Sequence, residues 1–265
     1  MTHYATLHTH TESSIHTVLL NRPEKRNALT PQLMEELTQA LEAAAAHPQV
    51  RVVIIAGAGS SFCAGLDLDH LCAITGASSP REDQADTERI ATLFRTLYTL
   101  PKPTIAAVNG PAIAGGMGIA TLCDFTLSVP EAKFGYTEVR IGFVPAIVSA
   151  FLRAQIGDKR CRDLLLTGRL LSAAEAHDLG LVTRIVPEPE LLHEARCLAA
   201  RLLRNSPAAL EATKRLLSAY GARHLPQDIE DAIRAGIDAR GNADFREGVS
   251  AFLEKRDPHW PSLKS

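Results

Sequence analysis

Residues 102–124, KPTIAAVNGPAIAGGMGIATLCD, limit what this chain can fold into more than any other stretch. Pro101 and Pro103 flank Lys102 and favour extended backbone there. The apolar run Thr104–Val108 is short enough for a buried strand. Asn109-Gly110-Pro111 then signals a turn. Beyond it, Ala114-Gly115-Gly116-Met117-Gly118 leads into a run of small residues over 119–123. A strand, a glycine-rich turn and a helix start collect free backbone N–H groups at one spot, and such a spot suits an oxyanion or a phosphate.

The flanking sequence alternates strands and helices. IHTVLL at residues 15–20 reads as a strand, and NRPEKRN at 21–27 as a polar loop. Thr30 and Pro31 open a helix as N-cap and first helical residue, with Leu33, Leu37, Ala40, Leu41 and Ala44 at helical spacing. Residues 50–56 form a β-branched buried strand, followed by a loop and a second glycine corner at Ala64-Gly65-Leu66. Residues 76–86, GASSPREDQAD, read as the most loop-like internal stretch, and 87–100 as an amphipathic helix. Strands are expected at 124–129 and 182–186, with a short strand and a loop over 133–144, and Ser172 with Glu175 makes a capping box. Residues 190–265 are helical throughout. The organisation is an α/β core over 1–189 and a helical region over 190–265.

Apolar residues make up 46% of the 265 and the net charge is −2, without a basic stripe, which argues against nucleic acid or an anionic membrane as the main partner. No apolar run reaches the roughly 20 residues a spanning helix needs, and the N-terminus lacks the pattern of a secretory signal. Five widely spaced cysteines without a CxxC pair fit reduced thiols in a cytoplasm. No His/Cys/Asp set has metal spacing. Gly-x-Ser-x-Gly is absent, and Gly57-Ala58-Gly59 is no dinucleotide fingerprint.

Two glycine corners, at Gly65-Leu66 and Gly115-Gly116, can each aim a backbone N–H outward, and two donors converging on one carbonyl oxygen make an oxyanion hole. Close packing alone would also explain those glycines. Glu138 lies among apolar and aromatic neighbours in YTEVRIGF, where burial would raise its pKa and suit it to proton transfer. A surface ion pair with Arg140 is the competing explanation.

NRPEKRNAL, SSFCAGLDL, KPTIAAVNGPAIAGGMGIATLCDF, FGYTEVRIGFVP, LLTGRLLSAAEAHDLGLVTRIVP and DFREGVSAFLEKR, in this order over nearly the whole chain, resemble the crotonase superfamily of enoyl-CoA hydratases and isomerases. The resemblance implies a crotonase-like α/β spiral of ββα units with a helical C-terminal trimerisation region. It also implies a homotrimer or a hexamer built from two trimers, an acyl-CoA thioester substrate, and no metal or other cofactor beyond the substrate's own coenzyme A. By position it gives the oxyanion donors as the amides of Leu66 and Gly115, and Glu138 as a catalytic acid/base. It places Lys25, Arg26, Ala28, Ala64, Asp67 and Leu68 around the CoA moiety, with Lys255 near its phosphates.

The chain departs from the hydratases at Gly118, where they carry a second glutamate. Hydration uses two carboxylates to hold one water and move its proton. Moving a double bond needs one base, so a lone Glu138 favours isomerisation. Two routes back to hydration stay open: Glu82, Asp83, Asp86 or Glu88 supplies the second acid, or the substrate brings its own carboxylate. Thioester hydrolysis, decarboxylation and non-catalytic acyl-CoA binding are the other readings of the same scaffold.

Overall fold

The computed structural model describes residues 3–76, 80–221 and 225–263. Strands β1 (Leu7–Glu12) and β2 (Ile15–Leu20) form an antiparallel hairpin with Leu7 opposite Leu20. Ser13 and Ser14 turn it at positive φ, 48° and 66°, as a two-residue hairpin requires. The sequence reading has no counterpart to β1. This edge strand buries only Leu7 of its six residues, so LHTHTE carries almost no apolar signal.

Helix α1 (Pro31–Ala46) starts as expected: Thr30 Oγ1 accepts a hydrogen bond from the Leu33 N–H at 3.1 Å. Next come β3 (Val52–Gly57), α2 (Leu68–Gly76), α3 (Pro80–Thr99), β4 (Thr104–Val108) and β5 (Ala112–Ile113). They are followed by α4 (Gly115–Leu122), β6 (Phe125–Ser128), β7 (Lys133–Gly135), α5 (Ala146–Ile156), α6 (Asp158–Thr167), β8 (Leu171–Ser172), α7 (Ala173–Asp178) and β9 (Arg184–Ile185). The predicted capping box at Ser172 and Glu175 is present. Residues 80–86 are helical rather than loop. Pro80 suits a first helical turn, and the polar Asp86 and Thr87 face inward, which hides the helical period. Residues 77–79 of that predicted loop lie outside the described residues.

Six strands form one sheet in the order β1-β2-β3-β4-β6-β9, parallel from β2 onward. β5, β7 and β8 form a second, three-stranded sheet. Both central strands, β3 and β4, are almost wholly buried, which explains their unbroken apolar runs. Asp124 fixes the end of the opening stretch. Its carboxylate accepts from the Thr104 N–H at 2.7 Å and hydroxyl at 2.9 Å, and meets Lys214 Nζ at 2.6 Å.

Helices α8 (Leu191–Leu203), α9 (Pro207–Gly221), α10 (Leu225–Arg240) and α11 (Ala243–Glu254) complete the described chain, apart from short 3₁₀ turns. α8 packs on the large sheet, α10 on α3 and α5, and α11 on α2 and the 3₁₀ turn Glu138–Ile141. Phe245 anchors α11: it is fully buried beside Leu71, Ile74 and Val249, and its ring lies 4.7 Å from that of Phe143. No helix among the described residues is long and apolar enough to cross a membrane. Replacing a buried Phe by Ala costs about 3–5 kcal/mol. Phe245→Ala should therefore lower the urea unfolding midpoint by that much stability, and an unchanged midpoint would show that α11 is held some other way.

Candidate active site

The two glycine corners meet because their chain segments lie side by side. Cys63 bridges Ala112, and the Ile113 N–H donates to the Cys63 carbonyl at 2.9 Å. No side chain fits between the segments. A Cβ added at Gly116 would stand 2.7 Å from Cys63 Cβ and overlap the Cys63 carbonyl oxygen. Gly65, at φ 89°, would put one 3.0 Å from Ala114 Cβ. Leu66 bridges Leu29: the Leu29 N–H donates to Gly65 O at 2.7 Å, and the Asp67 N–H to Leu29 O at 2.9 Å. The Leu66 N–H takes no part in that ladder. Gly115 is the first residue of α4, so its N–H has no intrahelical acceptor. Ala114, at φ 49°, turns the chain there without a side-chain cap. Both amides are thus free to donate, and both residues line one cavity of about 1070 Å³.

Glu138 lines the same cavity from the start of its 3₁₀ turn. Its Oε2 is buried without a hydrogen-bond partner, and no ion pair with Arg140 exists among the described residues. Burial pushes its pKa up to about 7, opposed in part by a hydrogen bond from its own backbone N–H. Leaving the negative form unpartnered is what makes the proton hard to lose.

The space of the absent acid is filled. A Cβ at Gly118 would overlap Phe94 Cζ and lie 2.7 Å from Cε2 of that fully buried ring. Of the acids named as substitutes, Asp86 lines the cavity. Glu82 is exposed, and Glu88 is exposed and faces a separate shallow groove. The Asp83 side chain lies outside the described residues.

Lys25, Arg26, Ala28, Ala64 and Asp67 all border the cavity. Lys25 Nζ pairs with Asp69 at 3.0 Å. The Asp67 carboxylate meets Arg22 Nη1 at 3.0 Å and accepts from the Asp69 N–H, so its side chain ties the polar loop to the start of α2. Burial alone would raise its pKa, but the Arg22 contact and these N–H groups outweigh that and hold it low. Leu68 begins α2, and its side chain lies outside the described residues. Lys255 caps α11 and is not among the lining residues; its neighbour Arg256 is, held by Glu247 and Glu254.

Sequence reasoning missed His70 and Arg240, which line the cavity with Asp86. Only the folded helices bring them together from residues 70, 86 and 240. His193, Glu194 and Cys197 put ligand-type atoms within 4.8 Å of one another on α8, a grouping the sequence reading passed over. Cys197 lies four residues from His193 and three from Glu194, spacings that share a helix face. Glu194 there is already engaged by Arg184 at 2.7 Å, and the three residues do not line the cavity.

The family model for enoyl-CoA hydratase/isomerase matches residues 10–263. The chain belongs to that family. It is similar to a candidate enoyl-CoA hydratase of Thermus thermophilus, 46% identical over 92% of this chain and 96% of the relative. A crotonyl-CoA hydratase of Syntrophomonas wolfei is 35% identical over 95% of this chain and 96% of its own. The crystal structure of an enoyl-CoA hydratase from Mycobacterium avium subsp. paratuberculosis superimposes with a TM-score of 0.87 at 31% identity, covering 97% and 99% of the two chains. The crotonase fold expected from the motifs is therefore the fold of this enoyl-CoA hydratase/isomerase family member.

Because Gly118 and Phe94 compete for one space, their substitutions should not add. Overpacking a core typically costs about 1–3 kcal/mol, so Gly118→Glu should destabilise alone. Combined with Phe94→Ala, the loss should fall short of the sum by at least about 0.5 kcal/mol in a double-mutant cycle. Additive losses would mean that the two side chains do not share that space.

Proposed function

We propose that this enzyme shifts a carbon–carbon double bond in an acyl-CoA thioester, taking a 3-enoyl to a 2-enoyl group through an enolate. The thioester oxygen sits between the Leu66 and Gly115 amides, which hold the negative charge as it develops. A preformed donor of this kind is worth about 3–4 kcal/mol in the transition state. Glu138 takes a proton from C2 as the carboxylate and returns it to C4. A pKa of about 7 lets it do both near neutral pH without a large energy step.

The Phe94 ring in the space at Gly118 is the observation that carries this reading over hydration. Loss of one acid/base group costs about 10²–10⁴ in rate, or roughly 3–5 kcal/mol at about 1.36 per decade. Water activation loses that term and a single-base proton shuttle does not. Hydration is the second reading, favoured by the carboxylate of Asp86 in the same cavity and by the hydratase names of the relatives.

The chemistry is proton transfer alone and asks for no metal or added cofactor, since coenzyme A arrives with the substrate. Lys25, Arg26, Ala28, Ala64, Asp67 and Leu68 hold the CoA moiety, and Lys255 its phosphates. A homotrimer or a hexamer accounts for the exposed Leu216, Leu217 and Tyr220 on α9, which would be covered between copies.

Purified protein should convert a 3-enoyl-CoA faster than it hydrates a 2-enoyl-CoA. Hydration as the faster reaction would sink the isomerase reading, and binding without turnover of either would point to a non-catalytic role. Glu138→Gln should lower kcat by about 10²–10⁴ while thioester binding persists; a mild effect would remove Glu138 from the mechanism. The base must be ionised to act. Therefore kcat/KM should level off above pH about 7 and fall tenfold per unit below it, and a profile flat down to pH 5 would contradict this role.

A further inference from the structure

Helix α3 measures the cavity. Asp86, Ile90 and Phe94 follow at four-residue intervals, each about 6 Å further along the axis, and all three line the cavity. Phe94 fills the space at Gly118, and Ile90 Cδ1 lies 3.7 Å from where a Gly115 Cβ would stand. Asp86 therefore lies one turn beyond the oxyanion donor, on the side away from Gly118. Apolar groups such as Leu71, Phe143 and Ile147 also line the cavity.

Into that wall the fold sets charge. The Asp86 and Arg240 side chains are 6% and 4% exposed, and His70 is 16% exposed. Asp86 Oδ2 lies 2.5 Å from His70 Nε2 and 3.3 Å from Arg240 Nη1, and Oδ1 lies 2.8 Å from Arg89 Nη1. Burial alone would raise the Asp86 pKa; the His70 and Arg240 contacts outweigh it and hold the carboxyl low. Burying ions costs several kcal/mol each before pairing, and apolar side chains of the same volume often serve stability as well or better. A plain hydrocarbon chain gains nothing from such a wall. With Nε2 held on Asp86, the ring's remaining polar atom is Nδ1, which has no hydrogen-bond partner among the described residues.

We propose that His70, oriented by Asp86, hydrogen-bonds an oxygen on the acyl chain, so that the preferred substrates are acyl-CoA thioesters with a hydroxyl or carbonyl group several carbons beyond the thioester. This rests on the reading that an acyl-CoA lies in the cavity with its thioester oxygen at Leu66 and Gly115. It does not depend on which reaction Glu138 performs.

The test is calorimetric titration of the wild-type protein with saturated thioesters, hexanoyl-CoA and its freshly prepared 4-, 5- and 6-hydroxy forms, with free CoA assayed alongside to correct for lactonisation. At least one hydroxy form should bind about tenfold or more tighter than hexanoyl-CoA, since a site built for a hydroxyl discriminates against an analogue without it. His70→Phe should erase that preference and His70→Asn should keep part of it. Equal binding of all four thioesters by the wild-type protein, or a preference that survives in His70→Phe, would overturn the assignment. If none of the four binds, the acyl-CoA reading itself falls, and this assignment falls with it.

Discussion

The contact between residues 62–66 and 111–116 is the constraint on which the rest of the molecule depends. Two backbones run so close that Gly116 and Gly65 are the residues the space admits. That approach sets the Cys63–Ala112 bridge and brings the second sheet against the end of the first. It also leaves the Leu66 and Gly115 amides facing one cavity. A side chain at Gly116 would push the corners apart, and with them the two amides that face the cavity. Precise spacing matters here because the gain from such donors comes from their being fixed before the charge appears.

The carboxyl group of Glu138 depends on the same enclosure. In water it would ionise well below neutral pH. In the cavity its Oε2 has no donor to replace water, so the charged form is penalised and the group titrates near pH 7. Helix α11 packs on the 3₁₀ turn that carries Glu138, and its Gly248 lies so close to Ile141 of that turn that no side chain fits between them. The Leu66 and Gly115 amides are thus aimed by the α/β core, whereas the turn that carries Glu138 is also packed by α11.

Much of this was legible in the sequence because it is local. Thr30 with Pro31, Ser172 with Glu175, and the glycines of the two corners announce their structures within a few residues. The family motifs extend that reading to the fold. The failures share a physical cause. β1 pairs through its backbone at a sheet edge, and five of its six side chains are not buried, so its sequence has no period to read. The first turns of α3 turn Asp86 inward, and an inward acid looks like a loop residue until its partners are known. Those partners, His70 and Arg240, come from helices far apart in the chain. Phe94 likewise reads as ordinary helix core. That its ring lies over Gly118 is a fact of packing between α3 and α4.

The order in which the cavity's walls occur along the chain has a consequence for biosynthesis. Segments that leave the ribosome first can fold first, and both glycine corners and Glu138 lie within the first 138 residues made. The wall over them is not finished until α11 has emerged and Phe245 has found Leu71 and Ile74. Until then the faces of α2 and α11 that Phe245 joins stay open to water. Closing that wall is then a single late event, the docking of one helix.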